Sequence, residues 1–245
     1  MRRSVLAAVG VAGLVLVASP GAGIASGASS GRAVAERRAA DVRLPAAGEA
    51  ATSRVQVRGA PRRDARRVAT MERLRFDYRP TVFFVIGRES DRDGHLWLRI
   101  RVPGRPNGGT GWVQASVLRS LRYVGGKQLV VDRSRREIRL KKGRRTVLRA
   151  SLAVGKPGAP TPLGSFYLTA AFRPDDSFLG PWAFETSGYA AISDWPQGGI
   201  VGLHGTSDPS SIGQEASHGC LRVYNEVILR LKRMVGPGTP LLIKR

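Results

Sequence analysis

From about residue 70 onward, hydrophobic positions fall in short runs separated by glycine, proline and asparagine, a spacing that predicts strands and turns. In the run 95–102 (HLWLRIRV), Leu96, Leu98, Ile100 and Val102 alternate with Trp97, Arg99 and Arg101, the period of a strand with one buried face. Runs at 81–86 (TVFFVI) and 111–113 (GWV) flank it, and 106–111 (PNGGTG) reads as a turn. Further strands are predicted at 128–132, 137–140, 146–154 and 164–171, with turns at Gly125-Gly126, Lys142-Gly143 and 155–158. A helical period stands out near the end, where Val227, Ile228, Leu231 and Val235 share a face. Asn225 is its predicted cap, Lys232 and Arg233 lie in its last turn, and Gly236-Pro237 stops it before a final strand at 241–243. The pattern predicts a mostly β protein, a sandwich or barrel, with one short helix.

The first seventy residues look different. Arg2 and Arg3 precede an apolar run over 5–17, followed by Ser19, Pro20 and small residues, the order of an export signal. That run falls short of the ~20 residues a spanning helix needs, so a cleavable signal peptide is expected over 1–28, with cleavage after Ala25 or Ala28. Paired arginines leave both the general and the twin-arginine route open. Residues 29–69, rich in Ala, Gly and Arg and almost without aromatics, are expected to be a flexible basic linker, with at most a short helix over 62–73. A small β module is expected over 70–120 and a larger domain over 121–245.

Charge narrows the partners. Forty Lys and Arg against 18 Asp and Glu give a net +22, which draws the surface to polyanions. For an exported protein these are anionic wall polymers or lipids, and no nucleic acid is expected. A single cysteine, Cys220, excludes an intramolecular disulfide framework and any multi-cysteine metal site.

That cysteine sits in a dense context. Two of the chain's three histidines, His204 and His218, flank it. A thiol of ordinary pKa ~8.5 is only slightly ionised at neutral pH, so a nucleophilic role needs a nearby base or positive field. Gly219 permits a tight turn that could aim backbone amides at an oxyanion, and Arg222 lies two residues on, on the same side of an extended strand. Zinc binding by His204, His218 and Cys220 is the rival chemistry, but Arg222 would set a cation beside the metal, and no metal is expected. A buried, inert cysteine is the remaining alternative.

The residues HGT at 204–206, PSSIG at 209–213 and SHGCLR at 217–222 resemble the signature of the L,D-transpeptidase (YkuD-like) catalytic domain family. The resemblance extends upstream through Val154-Gly155 and TPLGSFY at 161–167, and downstream to GTPL at 238–241, covering roughly 121–245. It implies an L,D-transpeptidase-like β-sandwich with one helix after the cysteine, acting without cofactor on peptidoglycan stem peptides as donor and acceptor. By this resemblance Cys220 is the acylated nucleophile, His204 moves the proton and His218 supports the site. Ser217, Gly205 and Gly219 serve as support or oxyanion site, Arg222 holds a substrate carboxylate, and carbapenem-type compounds are expected inhibitors. The segment 172–189, with Asp175, Asp176, Trp182 and Phe184, is a candidate lid. The module at 70–120, with its Trp97 strand and closing Gly-Trp-Val, resembles a small bacterial SH3-like barrel. A hydrolase using water as acceptor, and a non-catalytic wall-binding protein, are the competing functions.

Overall fold

The computed structural model describes residues 25–191 and 196–245; the body of the expected signal peptide, residues 1–24, lies outside the described residues. The described residues begin with helix α1 (Ala25–Asp41), followed by strands β1 (Ala46–Ala50), β2 (Arg54–Arg58), β3 (Arg67–Glu72), β4 (Val82–Ser90), β5 (Leu96–Arg101), β6 (Thr110–Gln114) and β7 (Leu118–Tyr123). These seven strands form one antiparallel sheet in the order β3-β2-β6-β5-β4-β1-β7. Its core joins Val55 and Val57 of β2 to Phe83, Val85, Leu98, Ile100 and Val113.

Residues 29–69 therefore do not form the flexible linker expected of them: they end α1, supply β1 and β2 and begin β3. The composition misleads because the large side chains come from elsewhere. Ala46, Ala47 and Ala50 are buried against aromatic and branched residues of β4 and β5, and small side chains let those strands approach closely. Arg88 of β4 ties down the end of α1 by donating to the carbonyls of Ala39 (3.2 Å) and Val42 (2.7 Å). The short helix considered over 62–73 is absent, its second half being β3. Trp97 is buried as expected of a core aromatic, its Nε1 donating to Asp91 at 2.8 Å.

The second unit comprises β8 (Lys127–Asp132), β9 (Glu137–Lys142), β10 (Arg145–Ser151), β11 (Val154–Gly155), β12 (Gly164–Phe172), β13 (Ala183–Tyr189), β14 (Ile200–His204), β15 (Glu215–Ser217), β16 (Leu221–Arg222), helix α2 (Asn225–Met234) and β17 (Pro240–Lys244). Eight of these strands form a sheet in the order β10-β9-β8-β17-β12-β13-β14-β16, and β11 pairs with β15 beside it. One core gathers Leu129, Ile138, Phe166, Phe184, Leu203 and Leu221 with Val227, Ile228 and Leu231 of α2. The mostly β architecture with one helix directly after the cysteine is as the pattern predicted. The cap is not: the residue before the helix is Tyr224, which makes no side-chain cap, and Asn225 is already helical.

The two units meet across β4 and β12. Tyr167 is fully buried, its ring stacked on Phe84 (centroids 5.1 Å apart) and its hydroxyl donating to the Val82 carbonyl at 3.1 Å. A turn over 73–81, closed by Thr81 N to Arg73 O (2.9 Å) and Arg75 N to Arg79 O (2.9 Å), reaches from the first sheet to β13. There Arg75 pairs with the buried carboxylate of Glu185.

Candidate active site

Strand register brings the cysteine and histidine together. β14 and β16 run parallel with Leu203 opposite Leu221 and His204 opposite Arg222, so Cys220 lies level with Gly202. Val201 and Leu203 point into the core, and alternation turns Ile200, Gly202 and His204 to the opposite face. The Gly202 N–H donates to Cys220 Sγ at 3.3 Å. A Cβ at Gly202 would lie 3.4 Å from His204 Cδ2 and 3.7 Å from Cys220 Sγ, so the bare glycine is the gap between thiol and imidazole.

The turn that presents the thiol is held from below. Ser217 Oγ donates to the Cys220 carbonyl (2.6 Å) and accepts from Gly219 N–H (3.1 Å). Thr161 Oγ1 donates to the Gly219 carbonyl (3.0 Å) and accepts from Gly155 N–H (2.8 Å). Gly219 has φ +117°, a conformation that side-chain-bearing residues rarely adopt, and a Cβ there would come within 2.7 Å of the Ala190 methyl. The turn expected from the sequence is present, but the Gly219 amide is committed to Ser217 rather than aimed outward. Half-buried His218 lies on this turn.

His204 is buried, and its Nδ1 lies 2.6 Å from the Gly205 carbonyl oxygen. A carbonyl only accepts, so Nδ1 carries the proton and Nε2 keeps its lone pair. Burial lowers the His204 pKa to about 4, with the Arg222 charge adding to the effect and the Gly205 carbonyl and Asp176 opposing it. Burial likewise pushes the Cys220 thiol up, against the Gly202 N–H and the Arg222 charge. The resting pair is a neutral thiol beside a neutral imidazole with a free basic nitrogen. Gly205 serves a second purpose: a Cβ there would overlap Asn225 Oδ1 at 2.3 Å, and that oxygen accepts the Thr206 N–H at 2.9 Å. Asn225 thus fixes the loop after the histidine instead of capping its helix.

Arg222 is buried next to His204, its guanidinium 4.7 Å from the centre of the Phe178 ring and its Nε without a protein partner. Phe178 belongs to the connection 173–182, where Asp176 caps a short 3-10 turn by accepting the Phe178 N–H at 2.8 Å. Of the lid segment expected over 172–189, only this connection is a loop. Its remainder is strand, Phe172 ending β12 and 183–189 forming β13 with Phe184 in the core, while Trp182 at the end of the loop sits edge-on to Phe184 under Lys232 Nζ, 3.9 Å from the indole. Among the described residues no three His, Cys, Asp or Glu side chains gather as a metal site.

Cys220, His204, Ser217, Gly219, Gly205 and Arg222 are thus neighbours, as their motif required. Gly202 and the Arg75–Glu185 pair were not singled out from the sequence, where Thr161 figured only within the TPLGSFY motif and Asn225 only as a helix cap. A glycine inside a strand run, as in IVGLH, was the available signal for Gly202, because it marks a close approach.

Residues 126–243 match the family described as YkuD, L,D-transpeptidase catalytic domain. The protein YkuD of Bacillus subtilis strain 168 is 34% identical over 95 residues, 38% of this chain and 51% of that protein. YkuD of Bacillus licheniformis is 32% identical over 113 residues, 46% of this chain and 62% of that one. The chain thus spans about half to three-fifths of the length of these curated relatives. The NMR structure of the catalytic domain of the E. faecium L,D-transpeptidase is 26% identical, with coverage of 48% of this chain and 96% of that one and a TM-score of 0.37. The register that sets Cys220 beside His204 and the sequence match over the same strands lead to one assignment: residues 126–243 belong to the L,D-transpeptidase catalytic domain family.

Proposed function

We propose that the chain is an exported cysteine L,D-transpeptidase that cross-links peptidoglycan through an acyl-enzyme on Cys220. The observation that carries this reading is Gly202, whose missing side chain leaves the Cys220 thiol and the His204 ring facing one space. In the first half-reaction His204 Nε2 takes the thiol proton as sulfur attacks the carbonyl at the L-centre of a stem tetrapeptide's diamino acid. The C–S bond forms, the C–N bond to the terminal D-Ala breaks, and the imidazolium returns its proton to the departing amine. In the second half-reaction an amine of another stem attacks the thioester, giving its proton to His204, and the thiol is restored. Nothing in this cycle draws on ATP, which suits a protein working outside the cytoplasm. Arg222, kept dry under Phe178, supplies the positive charge beside the dyad. The net +22 would hold the enzyme among anionic wall polymers through many weak, salt-sensitive contacts.

The test is intact-protein mass spectrometry after incubation with a carbapenem and, separately, with a disaccharide tetrapeptide, beside Cys220→Ala. A covalent adduct on the parent alone is expected, with D-Ala release and joined stems among the tetrapeptide products. Free acyl product with no joined stems would reassign the acceptor to water. Absence of any adduct on folded, reduced protein would remove the nucleophile.

A further inference from the structure

A cavity of about 280 Å³ lies where the turn 73–81 of the first sheet covers the face of the second sheet that carries the dyad. Its floor includes Thr169 of β12 and Ile200 of β14, and its wall includes Leu74, Arg75 and Phe76. Ile200, Gly202 and His204 share one face of β14, so the cavity and the thiol open on the same side of the sheet. Thr169 is only 7% exposed, yet its hydroxyl has no protein partner. A buried orphan of this kind calls for an occupant. The local ladder is built around it: the β12–β13 register shifts between Leu168 and Ala170, leaving Thr169 as the extra residue, and the β13–β14 register shifts between Glu185 and Tyr189.

The covering turn is preorganised. Beyond its two backbone closures, Arg75 joins Glu185 and Asp77, and Arg79 joins Asp77 at 2.8 Å. The two arginines and two carboxylates of these pairs offset one another, and Glu72 adds a third carboxylate to the lining, which disfavours a carboxylate as the group held. Beside the orphan hydroxyl the lining mixes polar Glu72, Arg75, Thr81 and Thr186 with apolar Leu74, Phe76, Val82 and Ile200, and Phe76 and Leu74 remain 65% and 45% exposed. The chemistry is that of a peptide residue with an aliphatic side chain, whose backbone amide would meet Thr169 Oγ1. From Ile200 to Gly202 is about 7 Å at ~3.4 Å per strand residue, or two residues of an extended peptide.

We propose that this cavity is a substrate subsite, formed jointly by the two units, that holds the aliphatic stem-peptide residue about two positions from the acylated carbonyl. The proposal rests on the L,D-transpeptidase reading for the identity of the peptide. It makes the first sheet part of the substrate-binding machinery.

Isothermal titration of disaccharide tetrapeptide into the Cys220→Ala protein, and into the same protein carrying Phe76→Ala or Thr169→Val, tests it. Each second substitution is expected to weaken binding about fivefold or more, the loss of one apolar wall or one hydrogen bond in a pocket. Thermal unfolding confirms folding, and exposed Phe76 and near-isosteric Thr169→Val both permit it. Parent-like Kd in both variants, or no binding of the tetrapeptide at all, would overturn the subsite and leave the cavity to water. Acylation of the Cys220 parent is read separately: binding that depends on Phe76 and Thr169 without acylation would sink the nucleophile and leave the subsite standing.

Discussion

Gly202 shows how one missing side chain organises the dyad. A methyl there meets His204 Cδ2 and Cys220 Sγ at ordinary van der Waals distances, so Gly202→Ala is expected to fold with near-parental stability. The methyl would fill the proton's route, and kcat/KM for the tetrapeptide is expected to fall at least about tenfold, within the range for loss of a general base. Parental turnover in Gly202→Ala would place the proton path elsewhere. His204 makes a second prediction, since its pKa of about 4 in the fold compares with 6.5 for an ordinary histidine. Activity requires the neutral ring, so kcat/KM should hold as pH falls through 6.5 and decline only near 4; a midpoint near 6.5 would contradict the burial argument. The unfolded chain binds its proton first, so His204's contribution to stability is complete above 6.5 and lost between 6.5 and 4. That loss is about 3 kcal/mol, readable as a falling urea midpoint. Cys220 and His204 were legible in the sequence because they are rare residues in a dense motif. Gly202 and Thr161 were not, since a glycine or threonine gains its meaning only from what strand register sets against it.

At the scale of elements, period and punctuation located the strands and α2, and failed where one element is completed by another. The Ala-rich stretch before residue 70 folds because Phe83, Leu98 and Ile100 cover it, a pairing that no window of local sequence contains. Asn225 has the residue type and place of a cap, yet its Oδ1 turns to the loop after β14 and accepts the Thr206 N–H. Asn225→Ala should leave that buried amide without an acceptor and cost about 1–3 kcal/mol in urea unfolding. Asn225→Asp, which keeps the acceptor, should recover most of it; equal losses in both would show that the loop draws its hold from elsewhere.

At the scale of the whole molecule, the two sheets are joined by Tyr167 on Phe84 and by the Arg75–Glu185 pair, the latter on the face that carries the dyad. Contacts between residues 110 positions apart were beyond any reading of periodicity, and the first unit accordingly looked like an appendage. The charge of +22, by contrast, was legible at once, because it needs no fold. Strand β17 has a further consequence. It lies in the middle of the eight-stranded sheet, between β8 and β12, with Ile243 opposite both Val131 and Gly164. Without that strand, β8–β10 on one side and β12, β13, β14 and β16 on the other are two half-sheets with open edges and no shared seam. Closure of the eight-stranded sheet thus waits on a strand that follows the cysteine and its helix in the sequence, and removing that strand is a way to split the sheet without touching the dyad.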